Sequence, residues 1–317
     1  MINSFSIVIP SYNESKNINE IYKRTFEVIK KLNIKKYEII FVENGSKDNS
    51  LELLKEINSK DKSVKIISLS RNFGYQSAIA VGLKYSEGDF VCVMDGDLQD
   101  PPEIIPKFFD KIKDGFDVVY GIRSKRKTSF INKIFYNLFY TIYSKLSEID
   151  APKKAGDFCL MNKKVVKNLN SLSEKNLFMR GLRSWVGFKQ TGVEYERDSR
   201  HAGKTNFSFF GATVLALDGF VSFSLIPLRF ILITGIIISF FSFLFFLFLF
   251  SAKIFHIFGI FDLTNLQLPK GLTFTNSILT LSLGLVMFTL GIIGEYVGRI
   301  YFEVKNRPNY VINEIIL

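Results

Sequence analysis

Cysteine is nearly absent from this 317-residue chain: Cys92 and Cys159 are its only two, beside two histidines and one tryptophan. Two cysteines exclude a disulfide framework, and both are expected to be reduced and structural. No metal-ligand spacing joins His201 to His256, so a histidine-based centre is excluded as well. Neither G-x-G-x-x-G nor G-x-x-x-x-G-K-[ST] occurs, which leaves dinucleotide and P-loop chemistry without their fingerprints. The last absence is local. No charged residue lies between Arg229 and Lys253, or between Lys270 and Glu295. Each run exceeds the roughly 20 apolar residues that cross a bilayer. The second, which contains Thr, Ser and Asn276, is the weaker of the two, and a buried soluble helix is its alternative.

What is present sorts into two regimes. Up to about residue 226 charged and apolar residues mix as in a soluble domain, and beyond it the apolar runs dominate. The expected organisation is a catalytic domain over 1–206, a juxtamembrane amphipathic helix over 207–226, and a membrane domain over 227–317. That last part is expected to hold spans at about 228–251 and 272–295 and a C-terminal tail. Residues 1–10 show neither a basic flank nor a cleavage site, so no signal peptide is expected. The catalytic mass and both termini are then placed in the cytoplasm, on a multi-pass inner-membrane protein. The short loop between the spans carries two Lys, with basic residues crowding the other flanks, as the positive-inside tendency requires. The net charge of +11 suits either nucleic acid or anionic lipid and phosphate. The apolar runs favour the second, and no nucleic-acid partner is expected. Gly284, Gly291 and Gly294 in the second run permit close helix contacts and hence a homo-oligomer. Residues 128–147, with Ile131, Ile134, Phe135, Leu138, Ile142 and Leu146 on one helical face, read either as a core helix or as one lying on the inner leaflet.

Within the first 123 residues short apolar segments alternate with amphipathic ones. Strands are expected at 5–9, 37–42, 64–69, 90–94 and 117–120, separated by helices. That alternation is the signature of an α/β fold with a mostly parallel, doubly wound sheet and flanking helices. Ligands bind such sheets beyond the carboxyl ends of the strands, and every polar cluster of this region falls there. Pro10-Ser-Tyr12-Asn-Glu14 follows the first strand, Glu43-Asn44-Gly45-Ser46 the second and Arg71-Asn-Phe-Gly74 the third. The fourth is followed by Asp95-Gly96-Asp97-Leu98-Gln99-Asp100. Two hard carboxylates about one glycine suit Mg²⁺ or Mn²⁺ held against phosphates, with the Gln99 amide oxygen as a further donor. An acidic turn capping the next helix is the alternative for D-x-D taken alone.

These segments resemble glycosyltransferase family 2 with its GT-A fold, and within it the polyprenyl-phosphate glycosyltransferases. The resemblance rests on Val8-Ile-Pro-Ser-Tyr-Asn-Glu14, Arg71-Asn-Phe-Gly74, Met94-Asp-Gly-Asp-Leu-Gln-Asp-Pro-Pro102, and Gly121-Ile-Arg123 followed by Arg126. It continues through Gly156-Asp157-Phe158, Arg180-Gly-Leu-Arg183, and Arg197 with Arg200-His-Ala-Gly203. Asp218-Gly-Phe-Val-Ser-Phe-Ser-Leu-Ile-Pro-Leu-Arg229 and Gly294-Glu-Tyr-Val-Gly-Arg299 complete it, so it spans almost the whole chain. Two positions depart from the pattern. Asn44 stands where the family usually has an acid that meets the nucleotide base, and the lysine of the later loop, Lys204, is displaced by two places.

The resemblance implies a metal-dependent inverting transfer from a nucleotide diphosphate sugar, UDP-hexose or GDP-mannose, to a polyprenyl phosphate in the membrane. It assigns Asp95, Asp97 and Gln99 to the metal. Pro10, Tyr12, Glu14, Asn44, Arg71, Asp95 and Gly96 fall to the nucleotide sugar. Arg123, Arg126, Arg197, Arg200 and Lys204 fall to the acceptor phosphate. Asp157, Asp97, Arg123 and Arg126 are then the residues of the chemistry, Asp157 orienting the acceptor or taking a residual proton. A glycan or polymer acceptor, and a membrane-tethered nucleotide-sugar binder without activity, are the competing readings. Arg180 and Arg183 are expected as i, i+3 neighbours on a helix, serving either structure or function. Trp185 is expected to pack, to sit in an interfacial belt or to form a sugar platform.

Overall fold

A computed structural model describes residues 3–123, 155–175, 177–196, 231, 233–238, 240–241, 244, 251 and 272–317. The chain divides into two compact units, Met1–Phe223 with Asn306–Leu317, and Ser224–Lys305.

The first unit is built on an eight-stranded sheet in the order β7-β5-β6-β4-β1-β2-β3-β8. Its strands are β1 (Ser4–Ser11), β2 (Lys36–Glu43), β3 (Val64–Leu69), β4 (Phe90–Val93), β5 (Val118–Arg123), β6 (Ala155–Asn162), β7 (Gln190–Tyr195) and β8 (Ile312–Ile316). The helices between them are α1 (Ile18–Lys31), α2 (Ser50–Lys60), α3 (Tyr75–Lys84), α4 (Ile105–Lys113), α5 (Lys163–Asn170) and α6 (Met179–Trp185). The expected strands appear where the apolar segments place them. Strands β1 to β4 pair in parallel, β4 and β2 flanking β1 and β3 lying outside β2.

The sheet is mixed: β1 to β5 and β7 run the same way, in keeping with the mostly parallel sheet expected, and β6 and β8 are reversed. β6 lies antiparallel to both β4 and β5, and β8 lies antiparallel to β3 at the edge. The sequence around Gly156 reads as a functional motif, and nothing in it announces a strand. Tertiary pairing decides it, because β6 fills the gap that otherwise leaves the ladder groups of β4 and β5 unpaired.

Apolar strands without polar alternation imply cover on both faces, and the core is accordingly double. Phe5, Ile7, Ile9, Ile39 and Phe41 point to one side, where α1, α2 and α4 add Ile21, Leu54 and Phe108. Val8, Ile40 and Val42 point to the other, against Ile79 and Leu83 of α3 and Val165 of α5. Trp185 is exposed, which removes its packing role.

The segment read as a C-terminal tail contains β8. Val311 accepts from the Ser70 amide at 2.9 Å, and Lys55 pairs with Glu314 at 2.6 Å. This strand pairs the outer edge of β3, which otherwise presents open donors and acceptors.

In the second unit the described helix α7 (Leu272–Lys305) has 34 residues, about 51 Å at 1.5 Å per residue. It holds one window long and apolar enough to cross a membrane, Ser282–Lys305, unburied in the structure. The helix outruns the span expected at 272–295. Glu295 and Arg299 pair at i, i+4 with 2.8 Å between them, so the charges that close the apolar run continue the helix instead of ending it. Asn306, at φ 48°, supplies the left-handed stop, and Pro308 follows. Residues described in the first expected span are helical. Most of that span, the 128–147 segment and the 207–226 segment lie outside the described residues.

Candidate active site

The site is assembled at the carboxyl ends of β1 to β4 by loops that bond to one another. Asn13, in the left-handed region at φ 56°, accepts the Lys47 amide at 2.8 Å, and Ser46 accepts the Asn13 amide at 2.9 Å. The Glu14 amide donates to Ser50 at 3.1 Å, and the Glu14 carboxylate accepts from Asn17. The loops after β1 and β2 are thereby one polar surface. Gly96 lies under that surface, where a Cβ would come within 2.9 Å of the Pro10 carbonyl oxygen and 3.9 Å of Glu14 Cγ. Pro10, Glu14 and Gly96, expected together at the nucleotide sugar, are brought together. Tyr12, in the same turn, is half-buried.

Asn44 and Arg71 take unexpected places. Asn44 is 3% exposed; its Nδ2 donates to Asn72 Oδ1 at 3.2 Å and to the Gly74 carbonyl at 3.1 Å, and its Oδ1 accepts from the Phe73 amide at 2.9 Å. Both its N–H groups and one lone pair are therefore spent on shaping the β3–α3 loop. Arg71 is exposed, its guanidinium 4.1 Å from the centre of the Phe73 ring. The β2 and β3 loops meet at Gly45, whose φ is +68° and where a Cβ would fall 2.4 Å from the Arg71 carbonyl carbon. Alanine there is strained in dihedral and in space, and Gly45→Ala is expected to cost about 2 kcal/mol or more. A lowered thermal-unfolding midpoint of the variant checks this.

The acidic turn holds the charge. Asp95 Oδ1 accepts from the Tyr75 hydroxyl, and its Oδ2 lies 3.8 Å from Nη2 of Arg123. Asp97, nearly buried, accepts the Gln99 amide at 3.1 Å, an Asx turn that carries the half-buried Gln99 past Leu98 at φ 61°. Asp100 is wholly buried; it accepts from the Tyr195 hydroxyl and lies 3.8 Å from Arg123 Nη2. Burial, and then the neighbouring carboxylates Asp100, Asp97 and Asp157, push Asp95 up to about 8 although the Tyr75 bond works the other way. Burial works against the Arg123 charge, but Asp100, Tyr195 and Asp95 more than restore it, so this guanidinium stays cationic.

β6 delivers Asp157 to this cluster. Gly156 lies against the Arg123 side chain, where a Cβ would be 3.6 Å from Nη2. Arg180 grips Asp157 with two nitrogens, at 3.1 and 3.4 Å. Burial alone would raise this carboxyl, but Arg180, with Arg183 and Arg123 beyond it, holds it below the usual carboxylate range. Arg183 is not a surface neighbour of Arg180: it is 3% exposed, donates to the Gly156 carbonyl at 3.3 Å and lies 5.3 Å from the Tyr120 ring centre. Arg126, Arg197, Arg200 and Lys204 lie outside the described residues. Tyr75, Asp100 and Tyr195 complete the site without having been singled out for it, and Arg180, expected to serve either structure or function, joins it through Asp157. Asp100 and Arg180 lie inside the motifs quoted above, so those motifs were their available signal.

The arrangement is a cluster of carboxylates, Asp95, Asp97, Asp100 and Asp157, with the guanidinium groups of Arg123 and Arg180 beside it. It can hold a cation with one set and a phosphate with the other. The family described as Glycosyl transferase family 2 matches residues 6–169. The uncharacterized glycosyltransferase YkcC of Bacillus subtilis (strain 168) is 44% identical over 98% of this chain and 93% of its own. A prophage bactoprenol glucosyl transferase homolog of Escherichia coli (strain K12) is 37% identical over 98% of each chain. The bactoprenol glucosyl transferase of Shigella phage SfII is 38% identical over 98% of this chain and 97% of its own. With a mixed α/β sheet and flanking helices consistent with GT-A, an acidic turn after β4, and relatives matched along nearly their whole length, the chain belongs to glycosyltransferase family 2.

Proposed function

We propose that the protein transfers a hexose, with inversion, from a nucleotide diphosphate sugar to the phosphate of a polyprenyl lipid at the membrane. UDP-hexose is the favoured donor and GDP-mannose the alternative. The observation that carries the reading is the crowding of Asp97, Asp100 and Asp157 about Asp95, with Arg123 3.8 Å from both Asp95 and Asp100. Relatives named as bactoprenol glucosyl transferases along 97–98% of their own length support the lipid acceptor.

The donor set fits a divalent cation. Asp95 is pushed towards its protonated form by burial and by its neighbours, which is how carboxylates behave when gathered for a positive charge. Among the described residues no three His, Cys, Asp or Glu side chains are gathered to chelate an ion unaided. Mg²⁺ or Mn²⁺ would therefore need substrate phosphates to complete its shell. Asp95, Asp97 and Gln99 would hold it, and when bound it would neutralise charge developing on the departing diphosphate.

In the transfer, an oxygen of the acceptor phosphate bonds to the anomeric carbon. The bond from that carbon to the β-phosphate oxygen breaks, and the nucleoside diphosphate leaves with the electron pair. The acceptor's second pKa is near 6, so it arrives largely ionised. The residues need to bring two anions together rather than generate a nucleophile. Arg123 serves that purpose from the described site, and Arg126, Arg197, Arg200 and Lys204 are proposed to join it. The apolar stretch of α7 and the run at 230–252 are proposed as two spans, with the catalytic unit cytoplasmic.

Membranes carrying the full chain, given radiolabelled UDP-glucose or GDP-mannose with Mg²⁺ or Mn²⁺, should pass label into an organic-extractable, acid-labile lipid. Label entering only water-soluble glycan would establish the polymer acceptor instead. Donor binding without any transfer would reduce the protein to a binder.

A further inference from the structure

The seventh strand ends on Tyr195, opposite Arg123 in the parallel β5–β7 ladder. It is 3% exposed, and its ring meets Phe158 edge-on with centroids 5.7 Å apart. Gly121 makes the room, since a Cβ there would come within 2.5 Å of Tyr195 Cε1. Among the bonds of its hydroxyl are two of opposite kind. It donates to Oδ1 of Asp100 and accepts from Nε of Arg123 at 3.3 Å. The other oxygen of Asp100 is 3.8 Å from Arg123 Nη2, the same distance that separates this nitrogen from Asp95. The guanidinium thus spans two carboxylates and closes on neither. A planar fork beside a buried carboxylate ordinarily settles into a short bidentate pair. Here the phenol engages one oxygen of Asp100 and Nε of Arg123 together, which blocks that pairing.

We propose that Tyr195 is a positioning residue of the transfer reaction: its hydroxyl keeps Asp100 from capturing Arg123 and holds the guanidinium towards the Asp95-Gly96-Asp97 turn, where the leaving diphosphate lies. The inference rests on the proposed function, which supplies the diphosphate. Removal of the hydroxyl takes a donor from a wholly buried carboxylate, and Arg123, 3.8 Å away, is near enough to replace it. The guanidinium then turns from the substrate to Asp100.

The test uses the full chain in detergent and lipid, as wild type, Tyr195→Phe, Asp100→Asn and the double variant. Three quantities are measured: Mn²⁺-dependent binding of UDP and of GDP by calorimetry, transfer kinetics, and the thermal-unfolding midpoint. Tyr195→Phe keeps the ring packing and is expected to lower kcat about 10–100-fold, as loss of an orienting partner does. Mn²⁺-dependent nucleotide diphosphate binding weakens in parallel. In the double variant the amide no longer attracts Arg123, so kcat is expected to recover by about 10-fold over Tyr195→Phe. A merely structural role would lower the midpoint and give no recovery. Wild-type kcat and binding in Tyr195→Phe, or a double variant no better than the single, would overturn the inference while leaving the proposed function standing. A wild-type chain that binds neither nucleotide with Mn²⁺ and transfers no sugar would overturn both. Asp100→Asn alone keeps Tyr195 in place and is expected to lose less kcat than Tyr195→Phe; a larger loss would also overturn it.

Discussion

Asp97→Ala is expected to lower sugar transfer about 10³-fold, the scale seen when a group facing the developing charge of a transition state is removed. Asp97 is nearly buried and is held by the Gln99 amide. Its loss leaves the turn with Asp95, which Tyr75 and Arg123 already engage. Mn²⁺-dependent binding of the nucleotide diphosphate should weaken together with turnover. Asp97→Asn keeps the shape and the Asx turn but not the charge, and is expected to fall nearly as far. If membranes carrying Asp97→Ala kept more than about a tenth of wild-type transfer, the assignment of this turn to a metal-bound diphosphate would be wrong.

Asp157→Asn is expected to cost about 10²-fold without changing the shape of the pH–rate profile. Arg180 holds this carboxyl below the usual carboxylate range, so it is already ionised throughout the physiological interval and cannot supply a titration there. The limb expected near pH 6 belongs to the acceptor phosphate and should persist in the variant. A limb that vanished with Asp157→Asn would identify Asp157 as a titrating base and overturn the orienting role. The sign for stability follows from the same depression. Its pairing with Arg180 contributes above the unfolded carboxylate pKa and is lost as pH falls through the lower folded value. Arg180→Gln should therefore cost stability at neutral pH, about 2 kcal/mol for a mostly buried and hydrogen-bonded partner, and the difference from wild type should shrink in acid.

The core strands and the polar loops at their carboxyl ends were legible beforehand because they depend on short-range chemistry. Phe5, Ile7 and Ile9 face one core and Val8 the other, so the strand is covered on both faces. The turn at Asp95-Gly96-Asp97 follows from where β4 ends. Asn44 shows the limit of such reading. Its motif position points to the nucleotide base, while the structure spends its amide on Asn72, Phe73 and Gly74. A side chain's address in a motif does not say which of several nearby polar groups it will satisfy.

By itself the sequence determined the alternation of strand and helix, the side of the sheet on which the polar loops gather, the acidic turn and the apolar run that becomes α7. Each follows from periodicity, from turn residues or from the absence of charge, and none needs a distant partner. Tertiary structure alone decided that β6 enters antiparallel between β4 and β5 and that β8 closes the edge of β3. It also decided that Asp157 meets Arg180 and that Asp100, Arg123 and Tyr195 share one network. Those facts are pairings between residues as distant in the chain as Tyr195 and Asp100, or Ile66 and Ile316. A pairing of that kind is settled by which buried donor finds which buried acceptor once the sheet has formed.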